Sequence, residues 1–323
     1  MEFDWYNKLT KDWLVVAPVL YSYGANAPYV NGGNVKNQGL EFGLHWNDSV
    51  GEVFYGVNLT GAHNKNKVTK IANADGIIHG TGSIPWEGAE ELYRAEVGMP
   101  IGYFYGYKTA GVFQNQAEID AYKGALLNGE NTNPGDVIYV DSNNDGVIDA
   151  NDRTMIGNPH PDFTLGLSFN IEWKGIDLSI SGFGSFGQQI FKCYRDFSSS
   201  PLNNYTTDIL KRWTGEGSSN KYPRLASSSN SNWNRISSLY VEDGDYFKVQ
   251  NITLGYDIAK AFKKFPLKTC RVYVTGQNLF TFTSYSGMDP EIGYGGGSGW
   301  AQGIDLGYYP SARTILFGVN LKF

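Results

Sequence analysis

The chain has 323 residues and a formal net charge of -6, with 18% charged residues, 15% aromatic residues and 40 glycines. Few charges together with many aromatic residues and glycines are typical of an all-β protein with many turns. The net charge of -6 argues against a nucleic-acid partner, because we expect no cluster of Lys and Arg that could neutralise phosphates.

Export signals, membrane helices and cysteine pairs are not recognisable in the sequence. No apolar run reaches the roughly 18 residues of a transmembrane helix. The N-terminus has no basic region followed by an apolar stretch, so we do not expect Met1 to be the natural start of an exported protein. Cys193 and Cys270 are far apart in the sequence and predict neither a disulfide framework nor a zinc site.

Alternation of apolar and polar residues predicts about eight antiparallel strands. The clearest alternation covers 163–173, and it resumes after the two-residue link Lys174-Gly175, which predicts a tight hairpin. Within 246–257 the alternation changes phase by one residue, which predicts a β-bulge. In chain order the predicted strands are 3–17, 40–47, 52–64, 162–173, 175–187, 245–258, 270–283 and 312–323.

The connections between the predicted strands alternate between long and short. The long ones are 18–39, 65–161, 188–244 and 284–311, and the others are 48–51, 174 and 259–269. Short periplasmic turns and long external loops are typical of outer-membrane barrels, whereas the alternative, a soluble β-sandwich, has no reason to alternate in this way. The sequence therefore predicts an antiparallel up-and-down transmembrane β-barrel segment with long extracellular loops and a periplasmic C-terminus.

The predicted extracellular loop region 65–161 contains an Asp-rich segment, 141–152, whose spacing suggests a metal site. Oxygen-bearing side chains occupy its positions 1, 3, 5, 9 and 12, glycine occupies position 6, and position 7 offers a backbone carbonyl. This EF-hand-like spacing predicts Ca²⁺ bound by Asp141, Asn143, Asp145, Val147, Asp149 and Asp152. The last position is Asp rather than the longer Glu, and the alternative is a set of Asx turns that needs no metal.

No catalytic constellation is visible. The histidines His45, His63, His79 and His160 lack metal-binding spacing, and no GxSxG segment occurs. The aromatic run 103–107 fits sugar stacking, a loop core or an aromatic girdle. The sequence therefore predicts no enzymatic activity and no organic cofactor.

Six segments spread over nearly the whole chain add a more specific signal. They are 34–42, 135–159, 222–224, 241–256, 276–291 and 309–323. In this order they resemble the SusC/RagA-like TonB-dependent outer-membrane transporters of Bacteroidetes. The resemblance implies a 22-stranded barrel, of which residues 1–323 form the C-terminal part, while the plug domain and the N-terminal strands lie outside the chain.

The same resemblance implies a function and partners. We expect import of an oligosaccharide or a peptide across the outer membrane of a Gram-negative bacterium, with a SusD-like surface lipoprotein, TonB and outer-membrane lipid as partners. We also expect an open curved sheet with unpaired edges at 3–17 and 312–323. The alternative function is a calcium-stabilised surface-binding or adhesion module without transport.

Overall fold

The computed structural model describes residues 1–16, 29–73, 75–127, 131–193, 205–225, 232–262, 265–293 and 299–323. Strands dominate these residues, and the two α-helices among them, α1 (Gln116–Ala121) and α2 (Ile258–Ala261), are short. The all-β prediction is confirmed. In this part of the chain, no helix is both long enough and apolar enough to cross a membrane.

In chain order the strands are β1 (Glu2–Val16), β2 (Tyr29–Val50), β3 (Val53–Ile71), β4 (Ile77–His79), β5 (Tyr93–Glu96), β6 (Tyr103–Tyr107), β7 (Thr109–Val112), β8 (Val137–Tyr139), β9 (Arg153–Gly157), β10 (Phe163–Trp173), β11 (Ile176–Phe186), β12 (Gln189–Lys192), β13 (Val241–Asp243), β14 (Tyr246–Asp257), β15 (Thr269–Thr283), β16 (Ile304–Asp305) and β17 (Thr314–Lys322). The largest sheet has eight of them in the order β1-β2-β3-β10-β11-β14-β15-β17. Every neighbouring pair in it is antiparallel. Among the described residues β1 pairs only with β2 and β17 only with β15, so the sheet is open and has two edges.

Strands β2 and β3 are longer than the alternation predicts. β2 begins at Tyr29 rather than at residue 40, and β3 ends at Ile71 rather than at residue 64. Residues 31–39 are polar and rich in glycine, so they show no alternation, but their backbone continues the ladder with β3. The prediction of a connection over 29–39 is therefore wrong, because backbone pairing does not require an apolar face.

The predicted bulge in β14 is confirmed. Ser181 and Gly182 are consecutive on β11 but pair with Asn251 and Val249 of β14, which leaves Gln250 as the extra residue. The shift keeps Phe247, Val249 and Ile252 on one face of the sheet, as shown by the residues with which they pair on β11.

The three long connections that the structure describes fold together into a cap at one end of the sheet. Successive antiparallel neighbours are joined at alternate ends, so 72–162, 187–245 and 284–313 leave the same end. These connections share one apolar core, and β12 of the second pairs with β16 of the third. The core residues are Ala89, Leu92, Tyr93, Phe104, Ile156, Phe191, Cys193, Trp233, Ile236, Leu239, Tyr240, Ala301 and Ile304.

The aromatic run 103–107 belongs to this cap. Tyr103, Phe104 and Tyr107 are buried, which selects the loop-core interpretation for them. Tyr105 is half-buried, and the guanidinium groups of Arg94 and Arg153 lie 3.3 and 4.6 Å from its ring centroid. Beyond the end of β3, the described part of the region 65–161 thus has its own strands, β4 to β9, and shares its core with the other two connections.

Candidate functional site: the polar face of the sheet

The register gives the large sheet two chemically different faces. Directly paired residues of antiparallel strands lie on the same face, so rows of side chains can be followed across the sheet. One row consists of Trp46, Val57, Phe169, Ile180, Ile252, Gly276 and Ile315. The adjacent row on the other face consists of His45, Asn58, Ser168, Ser181, Asn251, Gln277 and Thr314. We call these the apolar face and the polar face.

The apolar face is exposed across most of the sheet. Trp46 is 55% exposed, Leu254 49% and Phe317 84%. In contrast, the buried apolar side chains of this sheet in the described chain are limited to Val35, Val68, Ile71 and Tyr246. Soluble monomers rarely expose contiguous apolar patches of this size, so the face requires an apolar environment.

Side chains on the polar face are ordered by hydrogen bonds between strands. His45 Nδ1 lies 2.8 Å from Asn58 Oδ1, and Asn58 Nδ2 donates to Ser168 Oγ at 3.1 Å. The hydroxyl oxygens of Thr253 and Thr275 are 2.8 Å apart. Cross-strand polar pairs of this kind stabilise a sheet face that water can reach.

Ion pairs hold the polar face near the short turns. Arg271 donates two parallel hydrogen bonds to Asp177, at 2.7 and 2.6 Å, a geometry that fixes both planar groups. Lys260 of α2 pairs with Glu172 of β10. These pairs neutralise charges that would otherwise repel one another across adjacent strands.

A cavity of about 300 Å³ opens on the polar face near the edge strand β1. Its lining includes the carboxylates of Glu2, Asp4 and Glu41, the imidazole of His45 and the ring of Phe183. The remaining lining residues are mostly small, and they are Phe42, Gly43, Thr60, Gly61, Ala62, Thr164 and Gly166. Carboxylates and an imidazole can accept hydrogen bonds from the hydroxyl or amide groups of a polar ligand.

A buried lysine attaches the cap to this face. Lys248 stands on the polar side of β14 and is 2% exposed. Its Nζ lies 3.5 Å from Asp289 Oδ2 and also contacts the carboxylate of Glu291, and both acids belong to the connection between β15 and β17. Asp289 accepts further hydrogen bonds from the backbone N–H groups of Glu291 at 3.1 Å and Ser311 at 3.0 Å. The connection is therefore held against the polar face.

A second buried pair joins two connections within the cap. Asp136, which is 1% exposed, accepts hydrogen bonds from Arg224 Nε at 2.7 Å and from Asn232 Nδ2 at 2.8 Å. The two acidic–basic pairs bring together segments that are separate in the sequence, 135–159 with 222–224 and 241–256 with 276–291. Sequence reasoning assigned no role to Lys248, although a single lysine in an otherwise uncharged stretch of strand was a usable signal.

The Asp-rich segment 141–152 forms a compact loop. Gly146 has a φ of +86°, the left-handed conformation that glycine adopts most readily. Asp141 accepts hydrogen bonds from the backbone N–H groups of Asp145 at 3.2 Å and Gly146 at 2.9 Å. The fully buried Asp152 accepts hydrogen bonds from the backbone N–H groups of Ser142 at 2.7 Å and Asp149 at 2.8 Å.

Asx turns, in which a side-chain oxygen accepts from the backbone N–H two residues on, occur at Asn143, Asp145 and Asp149, and such turns need no metal. Among the residues that the structure describes, no three His, Cys, Asp or Glu side chains form a group that could hold a metal ion. The glycine conformation fits a calcium loop, whereas the carboxylates as placed serve the backbone. Calcium binding by 141–152 stays a prediction.

The histidines occupy separate environments. His45 contacts Asn58 on the polar face, and His79 lies 2.9 Å from Glu91. His63 and His160 each contact a backbone carbonyl, at 2.6 Å in both cases. Burial lowers the pKa of His160.

Comparisons with known proteins agree with these features. No model of a protein family matches the chain. The chain is 32% identical over 330 residues to TonB-dependent receptor P3 of Formosa agariphila, an alignment that covers 100% of this chain and 32% of that protein. It is 28% identical over 327 residues to TonB-dependent receptor SusC of Bacteroides thetaiotaomicron, covering 99% of this chain and 30% of that protein.

Solved structures of similar fold include that of the RagAB peptide transporter. The TM-score is 0.76 at 21% identity, and the match covers 99% of this chain and 33% of that one. The two-faced antiparallel sheet and these relatives make the chain similar to a segment of TonB-dependent receptors. The resemblance to the SusC/RagA-like transporters is thus confirmed, and the chain spans about a third of the length of the relatives it matches.

Proposed function

We propose that this chain forms part of the wall and the outer loops of a TonB-dependent importer of nutrients in the outer membrane of a Gram-negative bacterium. The separation of the large sheet into an exposed apolar face and a hydrogen-bonded polar face carries this proposal. In a membrane the apolar face would contact lipid, and the polar face would line an aqueous lumen. The similarity to TonB-dependent receptors over the full length of the chain supports the same function.

The open edges and the cap extend the proposal to the whole protein. The edges at β1 and β17 would pair with further strands of a 22-stranded barrel. The cap would lie on the cell exterior beneath a SusD-like lipoprotein, and TonB would supply energy through a part of the protein outside this chain. The connection attached through Lys248 would border the lumen entrance.

The proposed substrate is an oligosaccharide or a peptide. RagAB, whose fold this chain shares, is a peptide transporter. The acceptor groups around the cavity on the polar face can bind both sugar hydroxyls and peptide N–H groups. The alternative, a calcium-stabilised surface-binding or adhesion module, is not favoured, because the curated relatives are TonB-dependent receptors. We propose no enzymatic role.

Deletion of the full-length gene tests the proposal. We expect the deletion strain to lose growth on one oligosaccharide or peptide source, and to regain it with the intact gene but not with a gene that lacks these 323 residues. Inactivation of TonB should abolish uptake of the same fluorescently labelled nutrient. Unchanged growth and uptake over a panel of glycans and peptides would contradict an import function.

A further inference from the structure

A group of lysines lies where the apolar face of β2 and β3 approaches the cap. Lys36 is paired directly with Lys67, and Gln38 is paired with Lys65. Because residues two apart in a strand share a face, Lys36, Lys65 and Lys67 lie on the same side of the sheet. We call these three residues the lysine cluster. Further along β2, the same side carries Leu40, Phe42, Leu44 and Trp46, so this is the apolar face.

The cluster follows the apolar band in a graded manner. Leu40, the last apolar residue of β2 before the cluster, is paired with His63, and the next pair on this face is Gln38 with Lys65. Lys65 and Lys67 are exposed, and Lys36 is half-buried. The face therefore changes from apolar through polar to strongly basic within a few residues, as membrane proteins do at the level of the lipid headgroups.

The arrangement is electrostatically unfavourable by itself. Like charges directly opposite each other on neighbouring strands destabilise a sheet, and Lys36 and Lys67 are such a pair. Among the described residues, no carboxylate forms an ion pair with any of the three lysines. The segment 17–28, which joins β1 to β2, contains no Asp or Glu in its sequence. The cluster is therefore a concentration of positive charge that an anion from outside the chain could neutralise.

We propose that the lysine cluster binds the phosphate groups of an anionic lipid headgroup in the outer leaflet of the membrane. This inference rests on the proposed outer-membrane location. Lysine is a strong phosphate binder as a mobile point charge. The continuity of the cluster with the apolar face favours a lipid over a soluble anion, because acyl chains would cover the apolar rows while the phosphate meets the ammonium groups. The expectation that no cluster of Lys and Arg could neutralise phosphates does not hold here, because the strand register brings Lys36 beside Lys65 and Lys67.

Lipid binding to the purified full-length protein tests the proposal. Wild type and a triple variant, Lys36→Gln with Lys65→Gln and Lys67→Gln, are placed in phosphatidylcholine nanodiscs with increasing amounts of bisphosphorylated lipid A. Native mass spectrometry then counts the bound lipid A. We expect the triple variant to bind about a hundredfold more weakly, from roughly 1 kcal/mol for each lysine near a membrane surface.

A matched control changes three lysines elsewhere, with Lys8→Gln, Lys268→Gln and Lys322→Gln. Lys8 lies on the polar face, and the other two lie near the short turns, so lipid A binding should stay at the wild-type level. Without lipid A the cluster variant should unfold at the same temperature as wild type or higher, because the Lys36–Lys67 repulsion is relieved. A lower unfolding temperature together with normal lipid A binding would contradict the proposal.

Two further results would overturn the inference. One is equal binding of lipid A and of lipid A without phosphates by the wild-type protein. The other is a variant that keeps lipid A binding but loses binding of a soluble anionic polysaccharide, which would assign the cluster to substrate capture. Nutrient uptake is measured separately, so loss of lipid binding with intact transport, or the reverse, distinguishes this inference from the proposed function.

Discussion

Lys248 and Asp289 form a buried ion pair across 41 positions of sequence, with 3.5 Å between Nζ and Oδ2. The lysine belongs to a strand of the sheet, and the carboxylate belongs to the cap. Side chains of Lys248 and Asp289 are 3% and 11% exposed, so water screens the pair weakly. The pair is therefore a direct link between the proposed lumen wall and the connection that covers it.

Removal of this lysine should release the connection between β15 and β17. In Lys248→Met, Asp289 and Glu291 lose their common partner, and a loss of about 3 to 5 kcal/mol in the stability of the attached segment is expected for a broken buried pair. Limited proteolysis of the purified full-length protein within 284–293 measures it. The control is Lys174→Met, because loss of the exposed ion pair between Lys174 and Glu52 should lower the stability by less than about 1 kcal/mol. Equal protease resistance of both variants would argue against a linking role.

The same attachment should weaken in acid. Burial raises the pKa of Asp289, but hydrogen bonds from the backbone N–H groups of Ser311 and Glu291, together with Lys248, outweigh it and hold the pKa below 3.8. The pKa of Asp289 is lower in the folded protein than in the unfolded chain. The ionised carboxylate therefore stabilises the attachment fully above pH 3.8, and this stabilisation is lost as the pH falls through the lowered pKa. Protection of 284–293 from hydrogen exchange should decrease as the pH is lowered. This decrease should be smaller in Asp289→Asn, which has no carboxylate to protonate at that position. Release of the segment when the pH is raised would contradict this prediction.

Calcium should protect the cap if the Asp-rich segment binds it. We expect Ca²⁺ to slow proteolysis within 141–152 of the full-length protein, and a chelator to reverse the effect. The variant Asp145→Asn should need at least about ten times more calcium for the same protection. Asp120→Asn, on the exposed surface of α1, is the control of equal charge change. Identical proteolysis with calcium and with chelator would leave the Asx-turn interpretation.

A charge on the apolar face should impair membrane insertion, whereas a charge on the polar face should not. Leu254→Arg places a guanidinium among exposed apolar neighbours, where lipid contact would cost up to about 2 to 4 kcal/mol, the value for the bilayer midplane. Asn170→Arg puts the same group on the polar face, where water reaches it. The two variants are compared by the yield of folded, heat-modifiable full-length protein in outer membranes. Equal yields would mean that the apolar face does not contact lipid.

Local sequence pattern was sufficient for most of the large sheet, because each alternating segment reports its own two faces, but it did not predict the short strands of the cap. The segment 163–173 and the hairpin at Lys174-Gly175 appear in the structure as predicted, and the phase change near Gln250 is a bulge relative to β11. Residues 31–39 escaped prediction because their pairing with β3 depends on backbone hydrogen bonds, which leave no pattern in side chains.

What the sequence by itself determined is the alternating strand faces, the succession of long and short connections, and the resemblance to TonB-dependent transporters. Only the tertiary structure decided which distant residues meet. Arg224 and Asp136 are 88 positions apart, and Lys36 faces Lys67 through strand register alone. The physical reason is that alternation is a property of neighbouring residues, whereas the cap core, its buried ion pairs and the lysine cluster arise from how separate segments are brought together.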